Sequence, residues 1–282
     1  MVKLVYENSY GNKVEFTYKF PYFLEQYEGI HEKASELYGV SSAFSVGELY
    51  VGRSVNKRNI MIYGYFKDKF VERRQFLYNS FPDDDQGILY FYEDDFSAKI
   101  KCRVEKLTVS ESGPIRYFTI SLIAHYPYFE DISESNVNLA SWEGGIEFPI
   151  EIPEEGLEFE TRNNVMVAEI NNPTKVESGL TITFDFTGAV SKPSIKNIVT
   201  QELLTIDYDF IIGDKVVITT GINDKNIILT RHGSEININN YLLFGTKFLQ
   251  LRPGQNNFKI LAEKGIENVT TKIRYSLFYE AI

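Results

Sequence analysis

The chain has 282 residues, 29 basic and 39 acidic side chains, a formal net charge of −10 and 43 % hydrophobic residues. This composition indicates a folded protein, and the negative charge argues against a general binder of nucleic acid or anionic membranes. A single cysteine excludes an internal disulfide framework and a zinc site built on cysteines. No apolar run approaches the roughly 18 residues of a transmembrane helix, and the first residues lack the apolar core of a signal peptide.

Short alternating apolar segments predict strands through the first half, because a period of two places successive side chains on opposite faces of a sheet. Both alternating faces are apolar in residues 60–66. The alternation of residues 98–104 changes phase before Leu107, which predicts a bulge near Glu105 and Lys106. The other alternating sets are Val14, Phe16 and Tyr18, and Phe118, Ile120 and Leu122.

Helices are scarce in the pattern. The best candidate is residues 68–81, where Asp68 can cap the start and Pro82 ends the helix. A weaker helix is predicted for residues 24–37, interrupted by Gly29.

A change of composition follows residue 132. Residues 133–160 carry eight glutamates and no Lys or Arg, which is typical of a linker or an exposed arm. Trp142 lies in this segment and is a candidate contact residue, because tryptophan is enriched at interfaces. We therefore predict an N-terminal domain of residues 1–132, an acidic linker of residues 133–160 and a C-terminal domain of residues 161–282.

The second half predicts short strands at regular spacing, the pattern of a β-sandwich or barrel. Glycine, proline and asparagine turn signals separate them. The predicted strands are residues 164–170, 180–186, 195–199, 202–206, 208–211, 215–220, 226–230, 248–251, 257–261 and 272–278.

No motif indicates catalysis, a cofactor or a metal, and we predict no residue for any of these roles. His31, His125 and His232 lie far apart, without the paired spacing of metal ligands. Cys102 falls on the apolar phase of its strand, which favours a buried, inert thiol. The acidic run of residues 83–85 lacks the glycine and glutamate positions of a calcium loop, so it is interpreted as a solvated turn.

Basic residues cluster at Arg53, Lys57 and Arg58. A solvated hairpin turn is the favoured interpretation, with a partner-binding site as the alternative. Arg73 and Arg74 lie on the predicted helix, and reversing their charge would loosen an assembly if that helix lies at an interface.

Five segments in order resemble the siphovirus-type distal tail protein family of bacteriophages and prophages. They cover nearly the whole chain. Thr219, where aspartate is common, and Phe248, where tryptophan is usual, depart from the pattern. The segments are residues 58–64, residues 87–91 with 99–105, residues 126–129, residues 212–220, and residues 249–256 with the sequence LQLRPGQN.

This resemblance implies a mainly β protein, with an N-terminal split β-barrel-like belt domain carrying one helix and a C-terminal galectin-like or carbohydrate-module-like sandwich. It implies a homo-oligomer, a hexameric ring at the tail tip or baseplate of the virion, made in the host cytoplasm. The ring would join the tail tube protein to the tail-associated tip protein, with receptor-binding proteins on the C-terminal domain. DNA would only pass through its lumen, no membrane would be bound, and no enzyme activity or cofactor is implied.

Two other functions remain open. The C-terminal sandwich could be a carbohydrate-binding module, with stacking by tyrosines such as Tyr241. A glycan-cleaving enzyme needs two carboxyl groups about 5–10 Å apart, and sequence spacing cannot test this among 39 acidic residues. Whether residues 272–278 stay in the sandwich or return to the N-terminal domain is also open.

Overall fold

A computed structural model describes residues 1–33, 35–42, 46–139, 167–222 and 224–282. The chain divides into two compact units, Met1–Ile132 with Phe278–Ile282, and Ser133–Leu277. Most of the predicted acidic linker, with Trp142, lies outside the described residues. No helix in the described ranges is long and apolar enough to cross a membrane.

The first unit is built on one large antiparallel sheet with a single helix. Its main path runs β2-β1-β7-β8-β9-β6-β3, and β10 pairs with β8 beside it. Its elements up to Ile132 are β1 (Lys3–Glu7), β2 (Lys13–Phe16), β3 (Phe23–Glu28), β4 (Glu36–Ser41), β5 (Glu48–Ser54), β6 (Arg58–Phe66), α1 (Phe70–Ser80), β7 (Gln86–Glu93), β8 (Phe96–Val109), β9 (Arg116–Ala124) and β10 (Phe129–Asp131).

The sheet curls until its two edge strands approach each other. A bridge joins Thr17, just after β2, to Phe23 at the start of β3, and the amide of Leu24 donates to the carbonyl of Thr17 at 2.7 Å. Large aromatic side chains fill the enclosed core, among them Phe16 and Phe118, whose ring centroids are 5.4 Å apart. This arrangement agrees with the mainly β class that the sequence predicted.

The alternating segments of this unit are confirmed as strands. Ile60 and Ile62 are buried on one face of β6, while Met61 and Tyr63 on the other face are partly buried. The register of β8 against β9 shifts between Val104 and Lys106, where the phase change predicted a bulge.

The strong helix prediction is confirmed, but its cap is wrong. Lys69, with φ of 45°, precedes the first helical residue and no side chain caps the helix. The Asp68 carboxylate instead accepts a hydrogen bond from Arg73 Nε at 2.7 Å. The guanidinium, one turn into the helix, attracts the carboxylate away from the free amides.

The second predicted helix, over residues 24–37, is wrong. This segment contains β3, which pairs with β6, and then the start of β4. Gly29 adopts φ of 79°, and a Cβ there would lie 2.0 Å from the carbonyl oxygen of Asn59. Pairing with the long, buried β6 therefore outweighs the weak helical periodicity, and Gly29 lets the chain leave the sheet.

The second unit consists of two main sheets and two short additions. Its strands are β11 (Ser135–Leu139), β12 (Val167–Asn172), β13 (Leu180–Phe186), β14 (Val190–Ser191), β15 (Ser194–Asn197), β16 (Leu203–Thr205), β17 (Asp209–Phe210), β18 (Lys215–Gly221), β19 (Asp224–Arg231), β20 (Ser234–Asn237), β21 (Gly254–Leu261) and β22 (Val269–Tyr275), with short 3-10 turns at Asn239–Tyr241 and Ile266–Asn268.

Both main sheets contribute to one core, as a sandwich requires. The six-stranded sheet runs β11-β22-β13-β18-β19-β20, and the four-stranded sheet runs β12-β21-β15-β16. Ile182 and Phe184 of the first sheet and Ile195 and Phe258 of the second belong to the same buried cluster.

Two sequence predictions for this unit need correction. The predicted linker already begins with β11, whose Leu139 is buried, because β11 pairs along β22. The predicted strand of residues 248–251 does not form; Leu251 makes only an isolated bridge with Ser178. Leu249 and Leu251 are nevertheless both buried, so the alternation reflects burial without ladder pairing.

The end of the sequence divides between the units. Residues 272–275 stay in the sandwich as part of β22. The following strand, β23 (Phe278–Tyr279), pairs with β10 and belongs to the first unit.

Candidate assembly interface

Strands β4 and β5 form a two-stranded ribbon that pairs with no other described strand. Every residue of β4 is exposed, and most residues of β5 are exposed as well. At about 3.3 Å per residue, the ribbon extends roughly 20 Å. Its exposed large apolar side chains are Leu37, Tyr38, Val40, Leu49, Tyr50 and Val51.

Apolar side chains lie on both faces of this ribbon. Val40 is directly opposite Leu49, whose exposure is 75 %, and Tyr38 shares their face. Leu37 and Tyr50 lie on the other face, as the alternation along each strand requires. An isolated two-stranded hairpin is marginally stable in water, and an apolar surface of this kind marks an interaction site.

Arg58 lies at the base of the ribbon and is 3 % exposed. Its Nε donates to the carbonyl of Pro127 at 2.7 Å, and Nη1 donates to the carbonyls of Gly29 at 2.6 Å and Glu32 at 2.8 Å. Nη2 donates to the carbonyl of Glu280. Burial lowers the pKa of Arg58, and the nearby charge of Glu32 opposes this shift.

The interpretation of the basic cluster as a solvated turn is therefore wrong for Arg58. Its guanidinium also lies 5.0 Å from the centre of the Phe129 ring. The four carbonyls belong to three segments that only the tertiary fold brings to Arg58, so adjacent basic residues gave no signal of this burial.

Glu280 completes the base of the ribbon. Its carboxylate lies 3.2 Å from Lys33 Nζ, just before β4, and 3.4 Å from Arg53 Nη2 within β5. These groups line a small cavity of about 40 Å³ with Arg58 and Tyr128. No sequence pattern singled out Glu280.

A second apolar surface lies on the outer side of α1. Val71 and Tyr78, seven residues apart and therefore on one face, are exposed there, although the helix packs its other side on the core through Leu77. Arg73 is held by Asp68 and lies 4.5 Å from the centre of the Phe20 ring, while Arg74 is half-buried. Arg73 is thus a structural residue of this unit.

The residues with possible chemistry are dispersed. His31, His125 and His232 are all exposed, and no cluster of His, Cys, Asp or Glu suited to a metal occurs in the described part of the chain. Cys102 is buried as predicted, and burial raises its pKa to about 12.

The acidic run forms a turn between α1 and β7. Asp84 has φ of 59° and accepts a hydrogen bond from Arg103 Nη1 at 3.0 Å. The Asp85 carboxylate accepts from the amide of Ser9 at 3.0 Å. These contacts give the run a structural role.

Tyr241, the candidate stacking residue for sugar, lies beside Tyr208 in the second unit. Their ring centroids are 4.8 Å apart in an edge-to-face arrangement, and Tyr241 is 41 % exposed. Leu243 and the fully exposed Phe244 follow it in the same loop.

The turn within residues 249–256 is organised by a buried asparagine. Asn256 Nδ2 donates to the carbonyls of Arg252 at 2.7 Å and Gly254 at 3.0 Å. Its Oδ1 accepts from the Arg252 amide and from Asn197 Nδ2, both at 3.1 Å. Gly254 has φ of 86°, which favours glycine.

Asp214, in the segment of residues 212–220, is buried and forms an ion pair with the partly exposed Arg231. Its Oδ1 accepts from Arg231 Nε at 2.8 Å, and its Oδ2 accepts from the amide of Ile211 at 3.0 Å. Burial opposes ionisation of this carboxyl, but hydrogen bonds from Arg231 and Ile211 and the charge of Arg231 outweigh it, so the pKa of Asp214 is lowered.

This lowered pKa predicts an acid-dependent loss of stability in the second unit. The contribution of Asp214 is fully present above the ordinary value of 3.8 and is lost as the pH falls through the lower folded value. Asp214→Asn should lower the melting temperature at pH 7 and converge with the wild type as the pH falls through that range. Melting curves from pH 7 to pH 2 measure this, and a constant difference at every pH would contradict it.

Comparison with known proteins assigns the second unit. Residues 174–279 match the family model described as "Siphovirus-type tail component, C-terminal domain". This part of the second unit is therefore similar to siphovirus-type tail components. The motifs built on Asp214 and Asn256 both lie within the matched residues. No curated protein matches the sequence.

Solved structures of phage tails share the fold of the whole chain. The SPP1 Dit protein, described as a paradigm of the hub adsorption apparatus of phages infecting Gram-positive bacteria, is 12 % identical with a TM-score of 0.73, covering 98 % of this chain and 99 % of that one. Chains of the phage p2 baseplate in its activated conformation with Ca and with Sr are 10 % and 9 % identical, with TM-scores of 0.57 and 0.56, and both chains are fully covered. At these identities the likeness concerns the fold.

Proposed function

We propose that this protein is a structural hub of a phage or prophage tail, located at the tail tip or baseplate of the virion. Six copies form a ring through their first units. The ring joins the tail tube to the tail-associated tip protein, and the second unit carries receptor-binding proteins. DNA passes through the lumen, and the protein has no catalytic role. The family of the second unit and the hub fold of the whole chain support this proposal.

The main structural support for a ring is the exposed ribbon of β4 and β5. A ring closes through head-to-tail contacts, which need two different surfaces on each copy. The ribbon supplies one surface, with apolar side chains on both faces, and the outer side of α1 supplies an apolar surface of different shape. Inserting the ribbon against the next copy removes this apolar area from water.

The direct test is the native mass of the purified protein by light scattering over a range of concentration and salt. We expect a species near six times the chain mass of 32.5 kDa. Leu49→Glu places a charge on the apolar ribbon and should weaken self-association at least about 100-fold, because an apolar anchor contributes about 1.5–3 kcal/mol and a buried unpaired charge adds a further cost.

Ile212→Glu is the matched control, because Ile212 is comparably exposed but lies in the second unit. It should assemble like the wild type, and both variants should keep the wild-type far-ultraviolet circular dichroism. A wild type that stays monomeric under every condition would contradict self-assembly. Equal assembly of Leu49→Glu and wild type would remove the ribbon from the interface.

A further inference from the structure

The last residues of the sequence pack on the first unit, after the chain has passed through the second. Phe278 and Tyr279 pair with β10, and the amide of Ile282 donates to the carbonyl of Ile30 at 3.4 Å. Tyr279 and Ile282 also contact the hydrophobic core of the first unit. Residues 278–282 are therefore an integral part of this unit.

Glu280 connects this segment to both strands of the ribbon. Its side chain is only 16 % exposed, and its two oxygens face Lys33 before β4 and Arg53 in β5. Its carbonyl accepts from Arg58, which also binds the carbonyls of Gly29 and Glu32 just before the ribbon. One residue therefore holds the incoming and outgoing strands together at the base.

The remaining polar contacts within the ribbon are short-range and exposed. Tyr38 Oη and Ser54 Oγ are 3.0 Å apart, and Asn56 Nδ2 donates to Glu36 at 2.8 Å. Contacts of this kind stabilise a water-exposed hairpin weakly, because water competes for the same groups. The contacts of Glu280 and Arg58, in contrast, connect the ribbon base to the core of the unit.

We propose that residues 278–282 form a clasp that fixes the ribbon for assembly, with Glu280 as its positioning residue. The assembly part rests on the proposed ring function, whereas the fixing of the ribbon can be measured in a single copy. The entire second unit lies between ribbon and clasp in the sequence. A growing chain therefore acquires the fixed ribbon only after the second unit has been synthesised.

Glu280→Gln tests the clasp, since it removes the charge but keeps the size and the backbone carbonyl that Arg58 binds. Amide hydrogen exchange of the full chain is followed by mass spectrometry at a concentration that keeps the protein monomeric. Exchange in β4 and β5 should be about fivefold faster in the variant than in the wild type. This corresponds to two partly exposed ion pairs. Exchange in β8 and β9 should remain at the wild-type rate.

Glu130→Gln is the control. Glu130 lies on β10 beside the clasp, is similarly buried and pairs with Lys99 of β8 at 3.5 Å, which is not part of the ribbon. Its ribbon should exchange like that of the wild type. Unchanged ribbon exchange in Glu280→Gln would overturn the clasp, and so would equal acceleration in β8 and β9, because Glu280 would then stabilise the whole unit.

Light scattering of the same variants tests the assembly part separately. Weaker association of Glu280→Gln than of Glu130→Gln supports it, and equal association overturns it. A wild type that never assembles overturns the ring and the assembly part together, while the exchange rates still decide whether the clasp fixes the ribbon.

Discussion

Replacing Arg58 by methionine is expected to lower the free energy of unfolding of the first unit by about 4 kcal/mol. Methionine keeps the apolar stem but removes the donors to four backbone carbonyls, those of Gly29, Glu32, Pro127 and Glu280. A buried acceptor that loses its donor retains its desolvation cost. Arg58→Lys should recover only part of the loss, since one nitrogen cannot replace the arginine fork.

Hydrogen exchange of the β6 amides in the presence and absence of denaturant measures this loss unit by unit. Arg103→Met is the control, because Arg103 pairs with the almost fully exposed Asp84, and it should cost less than about 1 kcal/mol. A loss below about 1 kcal/mol for Arg58→Met would show that the buried contacts contribute little to stability.

Asn256→Ala is expected to cost the second unit about 3 kcal/mol. Asn256 is fully buried and makes four hydrogen bonds, three of them to the turn of residues 252–254. The fourth comes from the amide of Asn197, which is also fully buried and would lose this acceptor. The turn at the start of β21 would lose the hydrogen bonds that hold its conformation. This loss would also destabilise β21, one strand of the sandwich.

The matched control is Asn237→Ala, because Asn237 is exposed and accepts one hydrogen bond, from the amide of Asn239. It should cost less than about 1 kcal/mol. Exchange of amides in β15 and β21 reports the difference. Similar losses for the two alanine variants would refute a special role for Asn256.

The strands were predictable wherever burial alternates along a single segment. The strand of residues 180–186 forms with the predicted ends, and the phase change after Val104 located the bulge in β8. The weak helix over residues 24–37 failed because its choice between helix and strand depends on pairing with β6. The periodicity of a short segment does not report its pairing with a strand that is distant in the sequence.

The candidate interface was less predictable than the fold. Residues 36–54 alternate weakly and are apolar on both faces, a pattern that sequence analysis cannot distinguish from a buried strand. Only the fold places these side chains in water, because the ribbon pairs with no other described strand. The absence of any catalytic or metal-binding motif, in contrast, was a property of the sequence.

The sequence by itself determined the mainly β class, the position of α1, most strands of both units and the family resemblance of the second unit. Each of these depends on residues close together in the chain. The tertiary structure alone decided that Arg58 is buried and that Glu280 joins the ribbon base. Both outcomes depend on groups that lie up to about 250 residues apart, since Lys33 meets Glu280. Hydrogen bonds and ion pairs act over a few ångströms of space, so residues far apart in sequence interact only after folding.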